Sequence, residues 1–363
     1  MYIEKIKIDK FRVLEDIEIH FQQPGGATAD PETGNVVNVV AGVNGTGKTS
    51  LLEAIYDFGN GNAQESKKVY FFQNKIDSKI FYAKTQVPLR YESYDVLSDS
   101  TPVEVYHKAL NAGISDILQI NGLLQEVEEW IKTFVIDQER KVFDSDPKKR
   151  TALAIHEFGK IFEGLDILSK LVDLDGAINR NRPLFENIAN KRISIEKLSD
   201  GEKQIYGCVI RLMIQHPENA VILIDEPEIA LHPAWQQKIM QIYSRIGKNN
   251  QFIVATHSPQ IIASVPYKNR ILLRKENGKI QYFDTNQPPS GLDVNSVLSE
   301  IMGADPIPKD VLKARQDYRI FVESGRENSE DGLKKRDDLL KLEGGDSRFM
   351  QEMAFLIELR DVV

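Results

Sequence analysis

The stretch Gly42-Val43-Asn44-Gly45-Thr46-Gly47-Lys48-Thr49 constrains this chain more than any other. It satisfies the pattern of Gly, four residues, then Gly-Lys-Ser/Thr at every defined position. Before it, Val36-Val37-Asn38-Val39-Val40 is β-branched apart from Asn38 and reads as a buried strand. After it, Ser50 to Tyr56 has the apolar spacing of a helix. Glycines at such a junction let consecutive N–H groups converge on one anion, and the helix N-terminus adds partial positive charge. Lys48 would then reach the terminal phosphates, and the Thr49 hydroxyl would ligate Mg²⁺. The expectation is a nucleoside triphosphate held by Gly42 through Ser50.

The rest of the 363-residue chain is long enough for one large domain with insertions, or two lobes. Hydrophobic residues make up 41% and charged residues 28%, the balance of a soluble globular protein. No apolar run approaches about 18 residues, and Met1-Tyr2-Ile3-Glu4-Lys5 lacks the apolar core of a signal peptide. One cysteine, Cys208, rules out an intrachain disulfide. Together these point to the cytoplasm and away from a membrane. A net charge of −8 argues against a generally basic surface but leaves room for a local basic groove, so DNA or RNA stays a possible partner.

Ile6 and Ile8, then Ile17, Ile19 and Phe21, alternate with polar residues and predict two half-buried antiparallel strands joined around Lys10-Phe11-Arg12. Pieces around Val69–Phe72 and Lys79–Tyr82 are β-rich. From about 102 to 180 the pattern is helical: Ile117, Ile120, Leu124, Val127, Ile131 and Phe134 recur at three and four residues. Lys148-Lys149-Arg150 reads as a solvated helix start rather than a phosphate contact. Val221–Ile224 and Phe252–Ala255 are continuous apolar runs suited to strands buried on both faces of a parallel sheet. Asn277-Gly278 between two β-rich runs signals a hairpin. Pro288-Pro289 marks a linker, and a charged, mostly helical tail follows. The predicted fold is α/β, a P-loop nucleotide-binding head with a mixed sheet. Its expected divisions are 1–95 and 191–286 as the two parts of the head, 96–190 as a mainly helical insertion, and 287–363 as a helical tail.

Three further stretches carry chemistry. Val221-Ile222-Leu223-Ile224-Asp225-Glu226 ends a buried strand with two acids, whose side chains on an extended backbone would point to opposite sides. Asp225 is then placed to hold Mg²⁺ and Glu226 to polarise an attacking water. His257 ends the next apolar strand; it is either a cap or a γ-phosphate contact opening onto the same crevice. Leu198-Ser199-Asp200-Gly201-Glu202 reads as a Ser-x-x-Glu capping box, and its helix start is also an anion site.

In order and spacing, the loop at 42–49, Leu-Ser-x-Gly-Glu at 198–202, Asp225-Glu226 and His257 resemble the ABC-type ATPases. Transporter subunits of that group usually continue with Ser-Ala-Leu-Asp. This chain has Pro227-Glu228-Ile229-Ala230-Leu231-His232-Pro233, which resembles the RecF/SMC/OLD-like branch of bacterial "AAA family ATPases", as does Ile6 through Arg12. Among these it resembles the PtuA-type ATPase components of Septu and retron anti-phage defence systems. The similarity is dense over about 1–56 and 190–265 and weaker at 291–298. It implies an ATP- and Mg²⁺-dependent ATPase with Glu226, His257 and Lys48 in catalysis. It also implies two heads joined head-to-tail around two ATPs, with Ser199, Gly201 and Glu202 facing the nucleotide of the other copy. Arg12 would lie near the phosphates, and a metal-sensing glutamine would be Gln86 or, less favoured, Gln73. There is no long coiled coil. A Toprim domain would need about 100 further residues, and no nuclease cluster is seen, so a nuclease effector would be a separate chain. Other readings are a RecF-like DNA-repair ATPase, a transporter subunit, and a P-loop kinase or GTPase.

Overall fold

The computed structural model describes residues 2–59, 69–73, 80–84, 124–144, 146–176, 182–284, 294–304 and 307–362. The chain divides into two compact units, residues 1–297 and 298–363. In the first, β1 (Ile3–Phe11) and β2 (Leu14–His20) form an antiparallel hairpin pairing Ile6 with Ile19 and Ile8 with Ile17. β3 (Val36–Ala41) is buried at all six positions and leads through the glycine loop into α1 (Lys48–Gly59). β4 (Val69–Gln73) returns to pair with β1, and β5 (Ile80–Lys84) pairs elsewhere. Then come α2 (Leu124–Lys141), α3 (Pro147–Ile161), β6 (Lys170–Leu174), β7 (Pro183–Glu186) and β8 (Arg192–Ser194). The head resumes with α4 (Asp200–Ile214), β9 (Val221–Asp225), the short helices α5 (Pro233–Gln236) and α6 (Ile239–Ser244), and β10 (Gln251–Thr256). It closes with α7 (Pro259–Ser264), β11 (Arg270–Glu276) and β12 (Lys279–Asp284).

The main sheet has the order β12-β11-β3-β10-β9-β5. Its strands from β11 to β5 run parallel, and only β12 is antiparallel. Asn277 and Gly278 both take positive φ, 52° and 83°, so the β11–β12 hairpin has the expected type I′ turn. A second sheet, β2-β1-β4, is antiparallel. Helix α1 lies in the core between the two. Its Leu51, Leu52, Ala54 and Ile55 are fully buried with Ile6, Ile8, Ile17 and Ile19 of the hairpin and Leu223 and Ile253 of the parallel strands. Each large aliphatic side chain buried this way contributes about 1.5–3 kcal/mol. The glycine loop is therefore anchored at both ends, by the sheet and by a helix packed into the core. This is the α/β fold of a P-loop nucleotide-binding head.

The helical reading of 102–180 holds only in part. Its residues 102–123 lie outside the described ones, whereas α2 and α3 are helices as predicted. Asp146 caps α3 by accepting from the Lys148 N–H, with Pro147 in the first turn and Lys148-Lys149-Arg150 at the solvated start. Beyond them, β6, β7 and β8 form a three-stranded antiparallel meander. These strands have five, four and three residues, too few for a two-residue period to stand out. What holds the meander is a long-range contact: fully buried Phe185 packs against Tyr206 of α4 at 5.2 Å between ring centres. The linker at Pro288-Pro289 lies outside the described residues. The second unit packs α8 (Lys309–Glu323), α9 (Glu330–Glu343) and α10 (Arg348–Val362) around Tyr318, Val322, Leu339, Phe349, Met350 and Met353.

Candidate functional site

The carboxyl ends of β3, β9 and β10 lie side by side, because Ala255 is in register with both Val40 and Asp225. The three loops that leave them therefore open at one edge of the sheet, the place where open α/β sheets bind ligands. The first is the glycine loop. A Cβ on Gly42 would sit 2.4 Å from the Leu273 carbonyl oxygen and 2.6 Å from Thr46 Oγ1, so only glycine lets the loop pass that close to β11. Gly47 has φ +89° and lies against Val13 and Leu14 of the β1–β2 hairpin. Lys48 folds back over its own loop, its ammonium donating to the Gly42 carbonyl at 2.8 Å and the Val43 carbonyl at 3.2 Å. Burial lowers the Lys48 pKa, opposed by the nearby negative charges of Glu226, Asp225 and Glu228.

The second loop follows β9. Thr49 Oγ1 donates to Asp225 Oδ1 at 3.3 Å, so the hydroxyl and carboxylate assigned to one cation do meet. A hydroxyl and a carboxylate are the oxygen donors a hard divalent ion takes, with phosphate and water completing its shell. Among the described residues no group of three His, Cys, Asp or Glu side chains forms a metal cage by itself. Glu226 departs from the expected geometry. The strand ends at Asp225, and Glu226 takes φ +53°, so its direction is set by a left-handed turn and not by strand alternation. That turn carries the Glu226 carboxylate to the third loop, where its Oε1 lies 3.0 Å from His257 Nε2.

Ser199 and Glu202 form the reciprocal capping box of α4. Glu202 is 4% exposed and its carboxylate accepts from the Ser169 N–H at 2.8 Å, the Ser199 N–H at 3.0 Å and the Ser199 hydroxyl at 2.7 Å. Within one chain the Glu202 side chain is thus turned inward, as the capping-box reading expects. Gly201 has a packing reason to be glycine, since a Cβ would meet the Ala230 carbonyl at 2.7 Å and the Trp235 ring at 3.1 Å. The start of α4 therefore rests directly on the segment that follows Asp225-Glu226. In that segment His232 caps the short helix α5, accepting from the Ala234 N–H through Nδ1 at 3.2 Å.

Arg12, on the β1–β2 turn with φ +51°, pairs with Glu53 of α1, a partner sequence reasoning did not name. Gln86 lies outside the described residues. Gln73 ends β4 in the antiparallel sheet, whereas the strand beside β9 is β5, which ends at Lys84. The sequence reading also missed Glu228, whose Oε1 accepts the His257 main-chain N–H at 2.6 Å. The only signal for it was an acid two residues beyond Glu226.

A family model described as an AAA ATPase domain matches residues 1–145. A second, an AAA domain model (AbiEii toxin, Type IV TA system), matches residues 112–263. The chain is 34% identical to the "Retron Ec83 probable ATPase" of Escherichia coli over 47% of this chain and 33% of that protein. It is 31% identical to the "Retron Vc95 probable ATPase" of Vibrio cholerae over 38% of this chain and 29% of that protein. It is 22% identical to the Septu protein PtuA of Bacillus thuringiensis over 84% of this chain and 85% of that protein. The matched region thus spans a third or less of the two retron relatives. Over residues 1–263 the chain thus resembles AAA ATPase domains, and it is similar to PtuA and to the retron ATPases.

Proposed function

We propose that this ABC-like AAA ATPase hydrolyses ATP at a site shared by two copies of the chain, and that the cycle switches a separate effector in anti-phage defence. The observation that carries this is the meeting of three loops at one sheet edge: Lys48 and Thr49 from the first, Asp225 and Glu226 from the second, His257 from the third. The main-chain N–H groups from Gly45 to Thr49 cradle the phosphates, and the N-terminus of α1 favours their charge. Lys48 leaves the Gly42 and Val43 carbonyls for the terminal phosphates. Thr49 and Asp225 would hold a Mg²⁺ ion, which would supply charge neutralisation at the phosphates. Glu226 accepts a proton from the attacking water, and His257 holds that carboxylate in direction until substrate arrives. Ser199 and the Gly201 N–H of a second copy complete the site.

The relatives' retron and Septu names support a defence role; a separate nuclease is the effector class to test first. The test is ATP turnover with Mg²⁺ for the wild type and Glu226→Gln. Loss of a positioned base lowers kcat by about 10²–10⁴, while ATP still binds and light scattering shows a dimer trapped with ATP. Undiminished turnover refutes the base assignment, and a monomer at saturating ATP refutes the shared site. Ser199→Arg is expected to abolish turnover and spare ATP affinity; an unchanged rate would leave Ser199 as a helix cap alone.

A further inference from the structure

We propose that Glu228 is a positioning residue for hydrolysis: its carboxylate fixes the main chain of His257 and thereby holds the imidazole against Glu226. The inference rests on the ATPase reading above. After β9 the chain turns sharply, with Glu226 at φ +53° and Ala230 at φ +63°. Main-chain bonds from the Ile229 N–H to the Glu226 carbonyl (3.3 Å) and from the Leu231 N–H to the Glu228 carbonyl (2.9 Å) close that turn. It brings the Glu228 side chain back to the end of β10, where Oε1 accepts the His257 N–H at 2.6 Å. Glu226 and Glu228, separated by one proline, thus hold the same histidine by two handles, the ring through Glu226 at 3.0 Å and the amide through Glu228.

The flanking backbone is held as well. The Ser258 N–H donates to Thr256 Oγ1 at 2.9 Å, and the Ser258 hydroxyl donates to Gln236 Oε1 at 2.6 Å. The amide of His257 is the one whose fixed partner comes from the segment that also carries Glu226. Glu228 Oε2 is buried and makes no hydrogen bond among the described residues. The bonded oxygen, Oε1, ties the loop that carries Glu226 to the loop that carries His257. A charged acceptor on an N–H is worth about ten- to a hundredfold in an equilibrium.

The test is steady-state ATP turnover for wild type, Glu228→Ala, Glu228→Gln, His257→Ala and the double variant with alanine at both positions. Glu228→Ala is expected to lower kcat by about 10- to 100-fold with KM for ATP within about threefold. Glu228→Gln, which keeps an acceptor and drops the charge, is expected to recover turnover to within about fivefold of wild type. The double variant is expected to be no slower than His257→Ala alone, because Glu228 acts through that residue. Should Glu228→Ala not fold, Glu228→Asp replaces it, its shortened side chain expected to lower kcat in the same way. Additive losses in the double variant, a glutamine variant as slow as alanine, or an unchanged kcat in Glu228→Ala would each overturn the proposal while the ATPase reading stands. A wild-type chain without ATP turnover would overturn that reading, and this inference with it.

Discussion

Glu202→Ala removes one acceptor from three donors at once, and its cost can be worked from the contacts. Oε1 serves the Ser169 N–H at 2.8 Å; Oε2 serves the Ser199 N–H at 3.0 Å and hydroxyl at 2.7 Å. The side chain is 4% exposed, so water does not readily take its place. A hydrogen bond to a charged group contributes about 1.5–3 kcal/mol, and a helix cap about 0.5–2 kcal/mol. Two of the three bonds share an oxygen and a residue, so they do not add fully. The expected loss is about 3 kcal/mol. At an m-value of about 3 kcal/mol per M, the urea midpoint falls by about 1 M. Both tryptophans, Trp130 and Trp235, belong to the first unit, so their fluorescence follows its unfolding. An unchanged midpoint accompanied by lost ATP turnover would refute the capping role and return Glu202 to a ligand contact.

Gly42→Ala places a Cβ 2.4 Å from the Leu273 carbonyl, so the loop must shift; a strain of about 1–3 kcal/mol predicts roughly 10- to 100-fold weaker nucleotide binding by calorimetry with an unchanged circular dichroism spectrum. Burial pushes the Cys208 thiol up to about 11, so the unfolded chain loses its proton first as pH rises. That contribution to stability is complete below the ordinary thiol range and declines as pH rises toward 11, and the melting temperature of wild type should fall more steeply there than that of Cys208→Ala. Leu339→Ala, at a fully buried site in the tail unit, is expected to cost that unit about 2–5 kcal/mol, read as earlier loss of its helical signal.

The strands and loops of the nucleotide head were legible because their signals are local. Val36–Val40, Val221–Ile224 and Phe252–Ala255 are apolar without interruption, as strands covered on both faces must be. The glycine loop is written in a spacing that no common structural turn requires. The meander of β6, β7 and β8 was not legible, since its short strands are held by Phe185 meeting Tyr206, a contact across the chain that leaves no period in sequence. Within the site, residue types were readable and their directions were not. Glu202 carries the chemistry of an anion-site residue, yet burial turned it inward to Ser169, a residue 33 positions earlier.

By itself, then, the sequence determined that a glycine loop, two acids and a histidine each follow an apolar strand, since hydrophobic runs set the strands and glycines set the loop. Tertiary structure decided how those groups face one another. The left-handed turn at Glu226 aims it at His257, and Glu228 reaches the same histidine from the main-chain side. Such directions depend on loops crossing from strand to strand, where the backbone follows packing and hydrogen bonds to distant residues rather than the propensity of its own neighbours.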